Sequence, residues 1–310
     1  MKKAFFILAL ALLLLTAASA MENEEVVYDG RVKAYREATY VDFGATEVKS
    51  LAKLEEFLDQ LPCLEKCDMY LTNMNMAWAE ELSARYPNVE FGWTFIIYCN
   101  NKGPHVIRTD MTVFSTLHNN RSTAHTSQDF ACLKYCRHML ALDLGHNGLT
   151  TLDFLRFMPD LRVLIIGRNQ LTDIMALGNC PKLEYLEAFS NRITSVEPLL
   201  VCTNLMDLNI PNNRIQDIQL LGQIKSLRRL WAFNYMSSSM DQNRVDSSVK
   251  AALRDALPNC TFDWNNSGTG GFWRTLNGDS DGRKTPHYDV ITQMFQTGVY
   301  IPFEESAPLD

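Results

Sequence analysis

Four stretches decide the fold: MLALDLGHNGL at residues 139–149, LRVLIIGRNQL at 161–171, LEYLEAFSNRI at 183–193 and LMDLNIPNNRI at 205–215. Each begins 22 residues after the last. Asn147, Asn169, Asn191 and Asn213 hold the same place in each, and apolar residues flank them in a constant order. The first unit sets Met139, Leu142 and Leu144 before its asparagine and Leu149, Leu152 and Leu155 after it. The fourth sets Leu205, Leu208 and Ile210 before and Ile215, Ile218 and Leu221 after. A fifth unit offers Leu227, Leu230 and Ala232, but Tyr235 stands where its asparagine is expected.

The alternation around the second and third apolar positions has a period of two, which predicts a short strand with one buried face. The asparagine marks a tight bend, where its side chain can satisfy backbone groups. The later leucines fill the core from the other side. One unit cannot bury its apolar face alone, so the units must stack. The pattern L-x-x-L-x-L-x-x-N-x-L resembles that of leucine-rich repeats. The 22-residue period and the turns Thr172-Asp173-Ile174 and Gln216-Asp217-Ile218 are most similar to the internalin-type class of exported bacterial repeats. The resemblance covers roughly residues 127–248. It implies an α/β fold, a right-handed β-α solenoid with irregular N- and C-terminal caps. It does not name a ligand, because such folds serve many functions.

A looser version of the rhythm runs upstream. Val41-Asp42-Phe43-Gly44, Cys67-Asp68-Met69-Tyr70 and Val89-Glu90-Phe91-Gly92 each echo Leu142-Asp143-Leu144-Gly145. Helices are expected from a Thr46 cap towards Gln60 and from Met76 to Arg85. Ala79–Trp93 and Ala251–Trp264 both read as a helix, a Pro-Asn turn and a strand closed by tryptophan. The expected organisation is a signal at 1–20, an N-terminal cap at 21–126, repeats at 127–248, and a C-terminal cap and tail at 249–310. In that tail, residues 287–297 predict one amphipathic helix with Val290, Ile291, Met294 and Phe295 buried.

Residues 1–20 carry Lys2 and Lys3, an apolar run from Ala4 to Leu15 and a small Ala18-Ser19-Ala20 site, the pattern of a cleavable secretory signal. Its removal shifts the formal charge from −7 to −9. An acidic chain argues against nucleic acid as a partner and mildly favours cationic ones. With no second long apolar stretch, the product is expected not to be membrane-embedded. Eight cysteines in an exported chain permit disulfides, but Cys136, Cys180 and Cys202 share one apolar column and read as buried thiols.

Function is expected on the concave side, where alternate strand residues face outward. One column reads Ala141, Val163, Tyr185, Asp207, Arg229, the next Asp143, Ile165, Glu187, Asn209, Trp231, and the third Gly145, Gly167, Phe189, Pro211, Phe233. Large aromatics are costly to leave in water, so Tyr185, Glu187, Phe189, Asp207, Arg229, Trp231 and Phe233 form the expected ligand-binding patch. The competing reading is that the C-terminal tail folds over them as core. If the upstream units share the same phase, Asp42, Asp68 and Glu90 continue an acidic stripe suited to a cationic partner. Asn277, Asp279 and Asp281 fit the start of a calcium loop, but Tyr288 replaces its closing glutamate, so a polar turn is the plainer reading. No catalytic or cofactor motif appears, and no histidine spacing suits a metal. The expected function is non-catalytic recognition of a protein or glycan outside the cytoplasm at a bacterial surface. The alternatives are an extracellular hydrolase with its site in the loop 118–127 or the C-terminal segment, and a purely structural repeat protein.

Overall fold

The repeat signal is borne out as a ladder of three-residue strands in a computed structural model of the chain. It describes residues 24–98, 104–116, 124–234, 242–264, 271–275 and 284–303. The signal at 1–20, Tyr235, His118 and the calcium candidates Asn277, Asp279 and Asp281 lie outside the described residues. The chain divides into two units, Met1–Ile96 and Ile97–Asp310.

The first unit opens with a hairpin of β1 (Glu25–Tyr28) and β2 (Val32–Tyr35). In the three-residue loop between them Asp29 and Gly30 both have positive φ (47° and 70°), the sign that hairpin turns favour. Three parallel strands follow: β3 (Tyr40–Asp42), β4 (Lys66–Asp68) and β5 (Glu90–Gly92). They alternate with helices α1 (Leu51–Leu58) and α2 (Met76–Arg85). Helix α1 starts later than expected. Ser50, not Thr46, is its cap, accepting from the Lys53 N–H. The strand register corrects the acidic stripe. Asp42 pairs with Asp68 and then Gly92, while Tyr40 pairs with Lys66 and then Glu90. The expected alignment of Glu90 was therefore two residues out. A slip of two keeps the same side chains inward, so a period-two pattern cannot detect it. Lys66 also sits 3.6 Å from Asp68 and 4.0 Å from Glu90, which breaks up the negative charge.

The second unit is built on a seven-stranded parallel sheet. Its strands are β6 (Val113–Ser115), β7 (Ala141–Asp143), β8 (Val163–Ile165), β9 (Tyr185–Glu187), β10 (Asp207–Asn209), β11 (Arg229–Trp231) and β12 (Thr261–Asp263). From β7 to β11 every residue pairs with the one 22 positions on, for example Leu142 with Leu164. Short 3₁₀ turns such as Asp153–Phe157 and Met175–Asn179 form the opposite wall. Between the walls lie Leu142, Leu164, Leu186, Leu208 and Leu230, all without solvent exposure.

Asparagines bolt successive coils together. Asn191 Oδ1 accepts from the Leu171 N–H (3.1 Å), and its Nδ2 donates to Ile166 O (3.0 Å) and Ala188 O (3.1 Å). Asn169 and Asn213 make the same set. The residue before each bolt is left-handed: His146, Arg168, Ser190 and Asn212 have φ between 53° and 59°. The fifth unit keeps its bolt in a displaced position. Asn243 accepts from the Ile215 N–H (3.2 Å) and donates to Ile210 O (2.9 Å) and Ala232 O (3.3 Å). An insertion before it moves the asparagine eight residues beyond Tyr235, which is why a fixed period misses it.

Helix α3 (Ser247–Ala256) and β12 then cap the stack. The tryptophan echo is structural. Phe91 stacks on Trp93 at 5.1 Å and 8°, and Phe262 stacks on Trp264 at 5.1 Å and 13°. The seven described cysteines are free thiols. Burial pushes Cys132, Cys180 and Cys202 up to about 12, so they are poor nucleophiles.

Candidate functional site

The outer face of this sheet is not open. Two pieces of the C-terminal segment lie across it: the helical turn Gly271–Arg274, and helix α4 (Pro286–Thr297) with the extended residues after it. A bridge between Thr275 and Lys284 ties the pieces together. The ends of α4 are written locally. Pro286 occupies the first turn, where no N–H is needed, and Gly298 takes the left-handed position after the last turn (φ 72°). Ile291 and Met294 of α4 are buried against Val113, Ala141, Val163 and Ile165, while Val290 and Phe295 are partly buried.

All seven expected ligand contacts are covered: Tyr185, Glu187, Phe189, Asp207, Arg229, Trp231 and Phe233 have at most 8% of their surface exposed. The expectation of an open aromatic patch is thus corrected, and the physical reason is the one foreseen as its rival. The aromatics lose less by packing against the chain's own tail than by facing water. Gly167 belongs to the same design. A Cβ there would lie 2.4 Å from the Phe189 ring, so the position must be bare for the ring to lie down.

The cover is held by polar as well as apolar contacts. Trp273, fully buried, donates its indole N–H to the Tyr185 hydroxyl at 2.6 Å. Tyr185 in turn donates to Glu187. Arg274 closes the ring with a fork, Nε to Glu187 Oε1 at 3.1 Å and Nη2 to Oε2 at 2.7 Å. The Arg229 guanidinium lies 4.0 Å from the Trp273 ring centroid, and the Trp231 ring meets the same indole edge-on at 5.2 Å and 69°. Arg229 also donates to Trp273 O (3.1 Å) and to Asp207 Oδ1 (2.9 Å). His287 Nδ1 sits 2.6 Å from the other Asp207 oxygen.

Electrostatics explain why these groups tolerate burial. Burial alone would raise the Asp207 carboxyl, but Arg229 and His287 outweigh it and hold it below the usual carboxylate range. An ionised Asp207 only accepts, so the His287 Nδ1 carries the shared proton. Burial, reinforced by the Glu187 charge, raises the Tyr185 hydroxyl far above its ordinary value, so it stays a donor. Asp143, at the β7 end of the middle column, has no such cation in contact. Burial pushes it up to about 6 against the weaker pull of the Gly145 N–H, Arg274 and Ser115.

Some groups are left over. Among the described residues, neither amide atom of fully buried Asn209 has a hydrogen-bond partner, and Arg229 Nη2 has none. No set of three or more His, Cys, Asp or Glu side chains among them is placed to hold a metal ion. No helix among them is long and apolar enough to cross a membrane. His125, from the expected alternative site, is buried, packs edge-on against Phe130 and His105, and is pushed down by burial. Sequence reasoning missed Trp273, Arg274 and His287. The available signal was an amphipathic helix at 287–297, with the aromatic columns as the rival surface for the tail to pack on.

The class these features define is a leucine-rich-repeat solenoid whose strand face is covered by its own C-terminal segment. No family model matches the chain, and no curated protein does. Similar solved structures include internalin C2 of Listeria monocytogenes (18% identity over 73% of this chain and 80% of that one, TM-score 0.37). A second internalin of that organism, inlF, shares 16% identity over 76% of each chain at a TM-score of 0.40. A Leptospira interrogans leucine-rich-repeat protein shares 18% over 67% of this chain and 51% of that one at 0.38. The assignment of the repeat rests on the chain's own 22-residue strand register.

Proposed function

We propose that this chain is a secreted, non-catalytic recognition scaffold for a protein or glycan at a bacterial surface, with the outer face of the parallel sheet as its recognition surface. In the resting state the C-terminal segment occupies that surface. The observation that carries this reading is the chemistry of the cover. A permanent core is best sealed by apolar contacts, because buried ion pairs return little net stability. Here the apolar contacts are joined by a fork between Arg274 and Glu187, a His287–Asp207 pair and a chain of hydrogen bonds through Tyr185. Such contacts set register and can be exchanged for those of a partner. Asn209 and Arg229 Nη2 hold unused donors and acceptors in the same face, and buried groups of this kind are few in native proteins.

The test compares the full chain with Arg274→Ala as immobilised baits in extracts of its own cell envelope and of its surroundings. A partner retained more strongly by Arg274→Ala and lost when Glu187→Ala is added supports the covered face. Equal retention by all three chains rejects it and returns the purely structural reading, in which the tail is core.

A further inference from the structure

We infer that the covered face is a peptide-binding site whose ligand presents an aromatic residue followed directly by arginine. This rests on the reading of the sheet face as a recognition surface, and deepens it by naming the ligand class.

The chain's own Trp273-Arg274 shows what the face accepts. The aromatic position is a box with three walls contributed by the sheet: the Arg229 guanidinium over the ring, the Trp231 ring at its edge and Tyr185 at 6.0 Å. Arg229 is oriented for this by Asp207. A cation laid on an aromatic face in a buried site is a favourable pairing, strongest for indole. The Tyr185 hydroxyl adds a polar end that selects a ring bearing a donor. The arginine position is Glu187. Among the described residues, the sheet gives it only the Tyr185 hydroxyl, and its one paired cation, Arg274, comes from the cover. Its two oxygens take a planar guanidinium in the parallel, two-bond geometry that an ammonium cannot reproduce. The neighbouring residue in the column is Asn209, paired in register with Glu187 and unpartnered at both amide atoms. An amide of that kind can bond both the N–H and the C=O of an extended peptide, a pairing the cover leaves unmade. An incoming segment with these two side chains would thus replace the side-chain contacts of Trp273 and Arg274 and add two at Asn209.

The experiment uses the full chain carrying Trp273→Ala/Arg274→Ala, which vacates both positions, and a synthetic peptide with the sequence of residues 271–275, Gly-Phe-Trp-Arg-Thr. Three measurements are read: peptide affinity, the melting temperature with and without peptide, and hydrogen exchange across α4. The expected result is peptide binding at least tenfold tighter than to the wild-type chain, whose cover competes in cis. Changing the peptide's Trp or Arg to Ala should each cost at least tenfold, as should Arg to Lys, and Glu187→Gln in the chain should abolish the arginine dependence. Where the double variant is poorly folded, peptide should raise its melting temperature, since a ligand of the native state stabilises by mass action. Binding that ignores the Trp and Arg changes, in a variant whose α4 exchanges freely, overturns the ligand class and leaves the covered face standing. A variant that unfolds as a whole and is not rescued by peptide overturns both.

Discussion

Asn243 carries the sharpest structural prediction, because it is the bolt that the repeat period does not locate. Asn243→Ala removes three hydrogen bonds: from the Ile215 N–H, to Ile210 O and to Ala232 O. Ile210 O keeps a second donor in Asn213 Nδ2 at 3.1 Å, so its loss is small. The Ile215 N–H and Ala232 O are left without that amide inside the stack, and each buried orphan costs about 1–3 kcal/mol. The expected destabilisation is therefore about 3 kcal/mol, similar to that of Asn191→Ala in the middle of the solenoid. Urea unfolding of the full chain measures the total, and amide exchange at Ile215 measures the local part. A loss of less than about 0.5 kcal/mol with Ile215 still protected would refute the claim that Asn243 continues the ladder.

Four further predictions come from single groups in the second unit. Asp143 is raised to about 6 from 3.8, so its proton favours the folded state. That contribution is complete below about pH 4 and is lost as pH rises through 6, costing about 3 kcal/mol. Asp143→Asn should accordingly stabilise the chain at pH 7 and remove this part of the pH dependence in thermal unfolding. Asp207 behaves oppositely, its contribution being present above the unfolded value and lost as pH falls through the lowered one. Asn209→Leu should raise stability by about 1 kcal/mol in urea, because an unpartnered buried amide is replaced by an apolar side chain; a loss of that size would show the amide to be satisfied. Arg168→Gly should also stabilise, by about 1 kcal/mol, since exposed Arg168 holds a left-handed φ of 55° that glycine adopts freely; no gain in melting temperature would remove strain as a feature of that turn.

The solenoid was legible because its signal is repeated. One strand of three residues would mean little, but four units in identical phase place every inward leucine and every outward column. Helix α2 and the ends of α4 were legible for a different reason, since Asn75, Pro286 and Gly298 are local stop and start signals. What failed was non-local. Glu90 was placed in the wrong column because a two-residue slip preserves the apolar face. Asn243 was hidden by an insertion that changes the spacing and nothing else. Whether the C-terminal tail covers the outward columns stayed an open alternative in the sequence, because periodicity could not decide it. Outward columns look the same whether water or another segment lies on them. Only the pairing of Glu187 with Arg274, 87 residues away, decides between the two. Trp231→Ala and Phe233→Ala are for the same reason not clean tests of binding, because both side chains support the cover as well as any ligand.

The central claim is that the C-terminal segment is a separable occupant of the sheet face and not part of the solenoid's core. Native-state hydrogen exchange of the full chain at low denaturant, following amides of α4 against those of Leu164, Leu186 and Leu208, tests it most directly. The account predicts that α4 opens at a lower free energy than the strands, and that Arg274→Ala lowers the α4 value while leaving the strand values in place. Exchange of α4 and the strands through one common opening, shifted together by Arg274→Ala, would contradict it.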